Sequence, residues 1–189
     1  MDVNDVKGLY AEVKKRMDAV IEHTRRELAG VRTGRASVNL LDPVQVEAYG
    51  TNMPLNQVAT LSVPEPTMIV VTPFDPHQMG AIEKAIRNAN LGLNPANDGK
   101  VVRVPIPPLT EERRKELSKL VHKYSEEARN GIRQVRRDAN DRLKKLLKDH
   151  KISEDDERRA IDEVQKITDQ RIAGIDELQK KKDADLLGK

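Results

Sequence analysis

The 189-residue sequence lacks cysteine and tryptophan and contains only one phenylalanine and three tyrosines. The absence of cysteine excludes disulfides, thiolate metal ligands and cysteine nucleophiles. The longest purely apolar run is the short stretch Met68–Val71, and the N-terminal MDVNDVKGLY has none of the features of a signal or transit peptide. The sequence therefore predicts a soluble, cytoplasmic protein that does not act at a membrane.

Proline is missing from both ends of the chain, because all ten prolines lie between Pro43 and Pro108. Since proline breaks helices, the two proline-free ends can form long helices. Over residues 1–29, apolar side chains recur with a spacing of three and four, and Gly30 follows as a stop signal. This pattern predicts one amphipathic helix with an apolar stripe at Val3, Val6, Tyr10, Val13, Met17, Val20, Thr24 and Leu28.

The C-terminal part of the chain predicts two more helices. Thr110 is a candidate N-cap for the first, and Ser153 with Asp156 forms a short variant of a capping box for the second. Because three amphipathic helices cannot bury their apolar stripes alone, we expect an antiparallel three-helix bundle. The predicted stripes comprise Leu117, Val121, Tyr124, Ala128, Ile132, Val135, Ala139, Leu143 and Leu146 in one helix, and Val164, Ile167, Ile175 and Leu178 in the other.

The middle of the chain has the period of strands rather than of helices. VQVEAYG alternates apolar and polar residues, VATLSV, MIVVT and KVVRVPI are typical of strands, and Asp75–Pro76 starts a short helix. We expect the core of this helix at Met79, Ile82, Ile86 and Ala89. The predicted fold is thus α+β, with a small β/α/β domain at 31–105 inserted into a three-helix bundle formed by 1–30 and 106–189.

Two segments of chain must join these domains, and their composition predicts a hinge. Both segments are rich in small residues or proline and poor in bulky side chains. The predicted hinge residues are Gly30, Arg32, Thr33, Gly34, Arg35, Pro105, Pro107 and Pro108.

Positive charge is concentrated in one segment. The whole chain has a net charge of only +3, whereas residues 110–151 contain 14 Lys and Arg against eight Asp and Glu. Within ARNGIRQVRRDAND (128–141), Arg129, Arg133, Arg136 and Arg137 fall on one arc of the helix, away from the core stripe. Arg133 and Arg136 have no acid three or four residues away, which is where a helix usually pairs its charges. A charge run of this kind is compatible with a plain solvated face, but the missing acids favour an anionic partner at this arc.

Arginines elsewhere are further candidates for an anion. Arg113 and Arg114 stand at a helix start, where the helix dipole disfavours positive charge, so they are candidates unless they pair with Glu111, Glu116 or an acid of another helix. The loop VRTGR (31–35) is a second candidate contact, although its arginines are equally compatible with plain solvation. The guanidinium fork binds phosphates bidentately, and structured RNA is read largely through its shape and backbone. Gly131 costs its helix about 1 kcal/mol relative to alanine, which is explained either by close approach of a partner or by neutral drift.

No catalytic motif is present. The four histidines are scattered over separate predicted elements, the three tyrosines are too sparse for a base-stacking platform, and the acids of SEDDERR are explained by the helix dipole. We therefore expect a binding protein rather than an enzyme, without cofactor or metal. A helical adaptor or RNA chaperone that binds structured RNA is one candidate, and an enzyme is a further possibility that only scattered histidines and acids support.

Five segments, in order along the chain, resemble the bacterial ribosome recycling factor family: RTGRAS (32–37), LGLNP (91–95) followed by Asp98–Gly99, PPLTEERRKEL (107–117), RRDAND (136–141) and ISEDDERR (152–159). The sequence departs from the family pattern at EAYG (47–50), where two adjacent tyrosines are usual, and at Gly131, where a larger residue is usual.

This resemblance implies an L-shaped protein whose two domains meet at a flexible joint. It implies ribosome recycling after translation termination: binding to large-subunit ribosomal RNA near the inter-subunit bridges, followed by subunit separation with elongation factor G and GTP. By resemblance, Arg133, Arg136 and Arg137 bind the RNA, as do Arg113 and Arg114 at the helix start, and Arg129 lies on the same arc. We expect a monomer that does not bind DNA.

Overall fold

The structure, a computed structural model, describes residues 1–188, which form two compact units. One unit contains residues 1–32 and the C-terminal part of the chain from residue 111, and the other contains residues 33–110. None of the helices within residues 1–188 has the length and apolarity that a membrane span requires. The predicted division into domains, with residues 31–105 inserted into the bundle, stays a prediction.

The first unit is a bundle of three long helices, α1 (Val6–Ala29), α4 (Glu111–Lys148) and α5 (Glu154–Leu187). Arg142 near the end of α4 contacts Val3 just before α1, so α1 and α4 run antiparallel. Arg129 of α4 contacts Asp176 of α5, whereas Arg136 reaches back to Gln165, so α4 and α5 are also antiparallel. The structure thereby confirms the predicted antiparallel three-helix bundle.

The apolar stripe of α4 is buried as its spacing predicted, with one shift. Tyr124 is half-buried, whereas its neighbour Ser125 is fully buried. The buried Ser125 hydroxyl is satisfied because it donates to the Val121 carbonyl oxygen at 2.8 Å. The stripe of α1 was predicted less well. Leu9, which the periodicity omitted, is fully buried, whereas Val6 and Tyr10 lie at the margin of the core. Helix periodicity locates the buried side of a helix to within about one residue. Packing between the helices then decides which residue lies at the centre of that side.

Local hydrogen bonds set the start of α5 and the end of α4. Ser153 Oγ accepts from the Asp156 amide at 3.1 Å, and Asp156 Oδ2 accepts from the Ser153 amide at 3.1 Å, so the predicted capping box is present. The hydrogen bond from the Ser153 amide, together with the Ser153 side chain, lowers the pKa of the Asp156 carboxyl because both favour its charged form. At the end of α4, His150 has φ 56 and its amide donates to the Leu147 carbonyl oxygen.

The second unit combines a hairpin, an antiparallel sheet and short helices. Strands β1 (Gln45–Ala48) and β2 (Thr51–Pro54) form the hairpin, with positive φ at Tyr49 and Gly50 in its turn. The sheet has the order β3–β4–β6–β5, and all of its pairs are antiparallel. Its strands are β3 (Ala59–Glu65), β4 (Met68–Pro73), β5 (Ala96–Asn97) and β6 (Val102–Pro105), and its helices are α2 (Leu55–Val58) and α3 (Met79–Asn88).

One core holds the second unit together. The predicted positions Met79, Ile82 and Ile86 of α3 are buried against Ile69, Val71, Val102 and Val104 of the sheet, and Ala89 lies at the rim. The sequence predicts only four of the six strands. The segment VQVEAYG (44–50) ends in the turn at Tyr49–Gly50, and β2, which follows that turn, and the two-residue β5 were not predicted. The α+β class with its small antiparallel sheet unit is confirmed.

Candidate RNA-binding face

The arginine face consists of Arg129, Arg133, Arg136 and Arg137, in the middle of α4. The buried stripe of α4 at Ala128, Ile132, Val135 and Ala139 fixes the rotation of the helix. At about 100° per residue, this rotation turns Arg129 and Arg136 toward α5 and Arg137 toward solvent. The sequence had placed all four arginines away from the core. The structure shows instead that two of them border the groove between α4 and α5.

Arg129 is bound into the bundle. Its guanidinium donates to Asp176 Oδ1 at 2.8 Å, to Glu126 Oε2 at 3.0 Å and to Gln179 Oε1, so a carboxylate and an amide of α5 and a carboxylate of α4 surround it. Its side chain is 14% exposed. Of the four arginines it is therefore the one that is least available to an external anion.

Arg133 lies on the solvent side of Arg129 and has weaker partners. Its Nη1 donates to Asn130 Oδ1 at 3.2 Å and lies 3.6 Å from Glu126 Oε1, and its side chain is 35% exposed. No acid lies three or four residues from Arg133, which are the positions where charges on a helix usually pair. Glu126 is seven residues away, two turns along the helix, which is within reach of two long side chains.

Arg136 and Arg137 face neutral acceptors rather than carboxylates. Arg136 Nη1 donates to Gln165 Oε1 on α5 at 3.5 Å, and Arg137 Nη1 donates to Gln134 Oε1 at 3.3 Å. An amide oxygen orients a guanidinium without neutralising it. One turn further along, Asn140 Oδ1 is buried and accepts no hydrogen bond from the described part of the chain. Within residues 1–188, the face thus presents two oriented positive charges that pair with no carboxylate, with Arg133 beside them.

The helix-start arginines are far from this face. Arg113 Nη1 pairs with Glu116 Oε2 at 2.8 Å on the surface, and Arg114 is half-buried, with its Nε buried and unbonded within residues 1–188. At a rise of about 1.5 Å per residue, they lie roughly 30 Å along α4 from Arg133. The structure does not bring the two groups of arginines together.

Except for Pro105, the predicted hinge residues lie near the two points where the chain passes between the units, after residue 32 and before residue 111. Gly34 has φ +74, and a Cβ there would lie 3.1 Å from Leu109 Cγ, so this position needs glycine. The Ile106 amide donates to the Thr67 carbonyl oxygen at 2.8 Å, and Pro105 ends β6, so Pro105 belongs to the sheet. The remaining predicted hinge residues are the exposed Gly30, Arg32, Arg35, Pro107 and Pro108 and the half-buried Thr33.

Comparison with known proteins identifies the family. The sequence pattern of a family described as "Ribosome recycling factor" matches residues 24–187. A ribosome-recycling factor of Methylocella silvestris is 59% identical over 166 residues, which cover 88% of this chain and 89% of that protein. The chain belongs to the ribosome recycling factor family.

Solved structures agree with this family assignment. A solution structure of the ribosome recycling factor matches with a TM-score of 0.77 and 42% identity, covering 100% of both chains. A second match, with a TM-score of 0.65 and 50% identity over 97% of this chain and 99% of the other, is described as models for the T. thermophilus ribosome recycling factor and the E. coli elongation factor G bound to the E. coli post-termination complex.

Acids and histidines do not assemble into a further centre. Within residues 1–188, no group of three or more His, Asp or Glu side chains is placed to hold a metal ion. The histidines make separate local contacts: His23 lies 3.1 Å from Glu27, His77 lies 3.0 Å from Asp75, and His122 Nδ1 lies 3.3 Å from Gln179 Nε2. In this member of the ribosome recycling factor family, the arginine face is therefore the candidate site that the geometry supports best.

Proposed function

We propose that this member of the ribosome recycling factor family binds the post-termination ribosome through large-subunit ribosomal RNA near the inter-subunit bridges. Elongation factor G then hydrolyses GTP, the subunits separate, and messenger RNA and tRNA are released. The protein works in the cytoplasm as a monomer, is not itself an enzyme and needs no cofactor. A solved relative is described together with elongation factor G on the post-termination complex, which supports this assignment.

The arginine face is the observation that supports RNA binding best. Arg136 and Arg137 are oriented by glutamine side chains that leave their charge uncompensated, and Arg133 is partly exposed beside them. A phosphate backbone supplies the missing negative charge, and each guanidinium can bind two of its oxygens. Arg113 and Arg114 remain predicted RNA contacts farther along α4. Arg129 also remains a predicted contact, although its bonds to α5 favour a supporting role.

Binding to isolated large ribosomal subunits across a salt series tests the RNA contact. Arg133→Ala and Arg136→Ala should each weaken binding by about tenfold, because each removes a charge-assisted hydrogen bond. Each should also flatten the dependence of affinity on salt by about one phosphate contact. Helicity should stay unchanged. The matched control is Arg87→Ala, which removes the same charge from α3, where Arg87 pairs with Glu83.

If both variants bind like the wild type while helicity is retained, the arginine face is a solvated surface. The anchor must then be sought in the VRTGR loop or in the second unit. Elongation factor G and GTP should stimulate subunit splitting by the wild type. Binding without any such stimulation would favour an RNA adaptor that works without the GTPase.

We further propose that the joint between the units, at the predicted hinge residues, works as a hinge during splitting. Because the chain has no cysteine, one cysteine introduced into each unit can be joined by a cross-linker without side reactions at native thiols. The cross-linked protein should bind large subunits normally and fail to split ribosomes. The two single-cysteine variants, treated with the same reagent, are the controls. Unchanged splitting by the cross-linked protein would contradict the hinge.

A further inference from the structure

Glu126 is a carboxylate shared by two arginines that have different surroundings. Its Oε2 accepts from Arg129 Nη1 at 3.0 Å, and its Oε1 lies 3.6 Å from Arg133 Nη1. Because Arg129 is also held by Asp176 and Gln179 on α5, the Glu126 side chain is fixed from one side. Its second oxygen is thereby directed at Arg133.

Arg133 is consequently folded back along its own helix. Its Nη1 lies between Asn130 Oδ1 at 3.2 Å and Glu126 Oε1 at 3.6 Å, both on earlier turns of α4. Side chains on a helix tend to point toward its N-terminus, which favours this arrangement. Arg136 and Arg137 differ, because the acceptors they contact are amides. Of these three arginines, Arg133 is the one that lies beside a carboxylate of the protein, that of Glu126.

We propose that Glu126 restrains Arg133 in the free protein and thereby limits how tightly the arginine face binds a phosphate backbone. This inference rests on the proposed function. A phosphate that binds Arg133 must take the guanidinium from Glu126 or approach close to its negative charge. Since the Glu126 side chain is 48% exposed, this competition is screened by solvent and modest in size. A restraint of this kind keeps binding reversible, which suits a factor that must leave the ribosome after each round.

The test compares Glu126→Gln with Glu127→Gln in binding to isolated large ribosomal subunits at low salt. Both variants remove one negative charge from adjacent positions of α4. Glu127 is exposed and lies about 100° around the helix from Glu126, on the side away from Arg133. Glu126→Gln should bind about two- to fivefold more tightly than the wild type, the effect expected of one screened ion pair. Glu127→Gln should stay close to the wild type.

Two outcomes of this comparison overturn the inference. An equal gain in both glutamine variants would mean that overall charge, and not the contact with Arg133, sets the affinity. Weaker binding of Glu126→Gln would mean that Glu126 positions Arg133 for RNA instead of restraining it. The double variant Glu126→Gln/Arg133→Ala adds a check, because the gain should vanish in the Arg133→Ala background. A gain that persists there in full excludes an action through Arg133.

A readout without the ribosome separates this inference from the proposed function. Nitrogen-15 relaxation of the arginine Nε–H groups should show Arg133 more mobile in Glu126→Gln than in the wild type, while Arg129 stays ordered through Asp176 and Gln179. Equal mobility of Arg133 in both proteins overturns the restraint, whatever the result of the subunit-binding experiment. If instead Arg133 is restrained but Arg133→Ala leaves subunit binding unchanged, the RNA contact proposed for Arg133 fails.

Discussion

Two sets of arginines on the same helix have different surroundings. Arg129 and Arg142 are bound by groups from other parts of the bundle: Arg129 by Asp176 and Gln179 of α5, and Arg142 by the Val3 carbonyl oxygen at 2.6 Å and Asn4 Oδ1 at 3.1 Å. In the part of the chain that the structure describes, Arg133 and Arg137 have partners on α4 alone, and Arg136 reaches a glutamine of α5 at 3.5 Å.

This difference shows that an arginine's role depends on what the neighbouring helix presents to it. Where α5 or the N-terminal segment supplies several acceptors, the arginine stabilises the bundle. Where it supplies one amide or none, the positive charge remains available to an external anion. A count of positive charge along the sequence does not distinguish the two sets, since both lie in the same basic segment.

The largest expected effect on stability is that of Arg129→Ala. This change removes hydrogen bonds to two carboxylates and an amide and should lower the free energy of unfolding by about 1–3 kcal/mol. Arg137→Ala, on the exposed side of the same helix, should change it by less than about 0.5 kcal/mol. Urea unfolding followed by circular dichroism measures both. Equal effects would remove the distinction between the bound and the available arginines.

Arg142→Ala should have the next largest effect. It releases the segment before α1, because Arg142 holds the Val3 carbonyl oxygen and the Asn4 side chain. We expect a loss of about 1–2 kcal/mol and faster hydrogen exchange in the first turn of α1. The exchange rates of α5 should change little, which serves as the internal control. Uniformly faster exchange throughout the bundle would show a general loss of stability instead of a local release.

Gly131→Ala should have the opposite sign. Although Gly131 lies within the arginine-rich segment, it faces α1, where a Cβ would meet the Val20 methyl groups at 3.5 and 3.6 Å, which is ordinary van der Waals contact. Alanine should therefore raise the free energy of unfolding by about 1 kcal/mol. Binding to large ribosomal subunits should not change. Weaker binding of this variant would mean that the glycine serves a partner after all.

The smallest expected effect is a pH dependence at the start of α5. The pKa of Asp156 is lowered by hydrogen bonds from Ser153, so its contribution to stability is present above the carboxyl's ordinary pKa and is lost as the pH falls through the lowered value. Asp156→Asn should make unfolding less dependent on pH in the acidic range. Glu154→Gln, on the exposed first turn of α5, is the matched control. Identical pH profiles for the wild type and Asp156→Asn would exclude this contribution.

Much of the fold could be predicted because it depends on local patterns. Proline distribution separated the helical ends from the middle, and helix spacing located the stripes of α4 and α5. The capping box at Ser153 was also visible as a short motif. The errors arose where packing chose between neighbouring residues, as with Leu9 instead of Val6 and Tyr10. They also arose after the turn at Tyr49–Gly50, where pairing with β1 makes Thr51–Pro54 a strand.

The sequence by itself determined that α4 carries arginines on one arc, since helix periodicity depends only on residues a few positions apart. Only the tertiary structure decided which of them are bound. Asp176 and Gln179 lie 47 and 50 residues from Arg129, and Val3 lies 139 residues from Arg142. The register between packed helices brings these groups together. Because register follows from how all three helices bury their apolar stripes at once, no single segment of sequence specifies it.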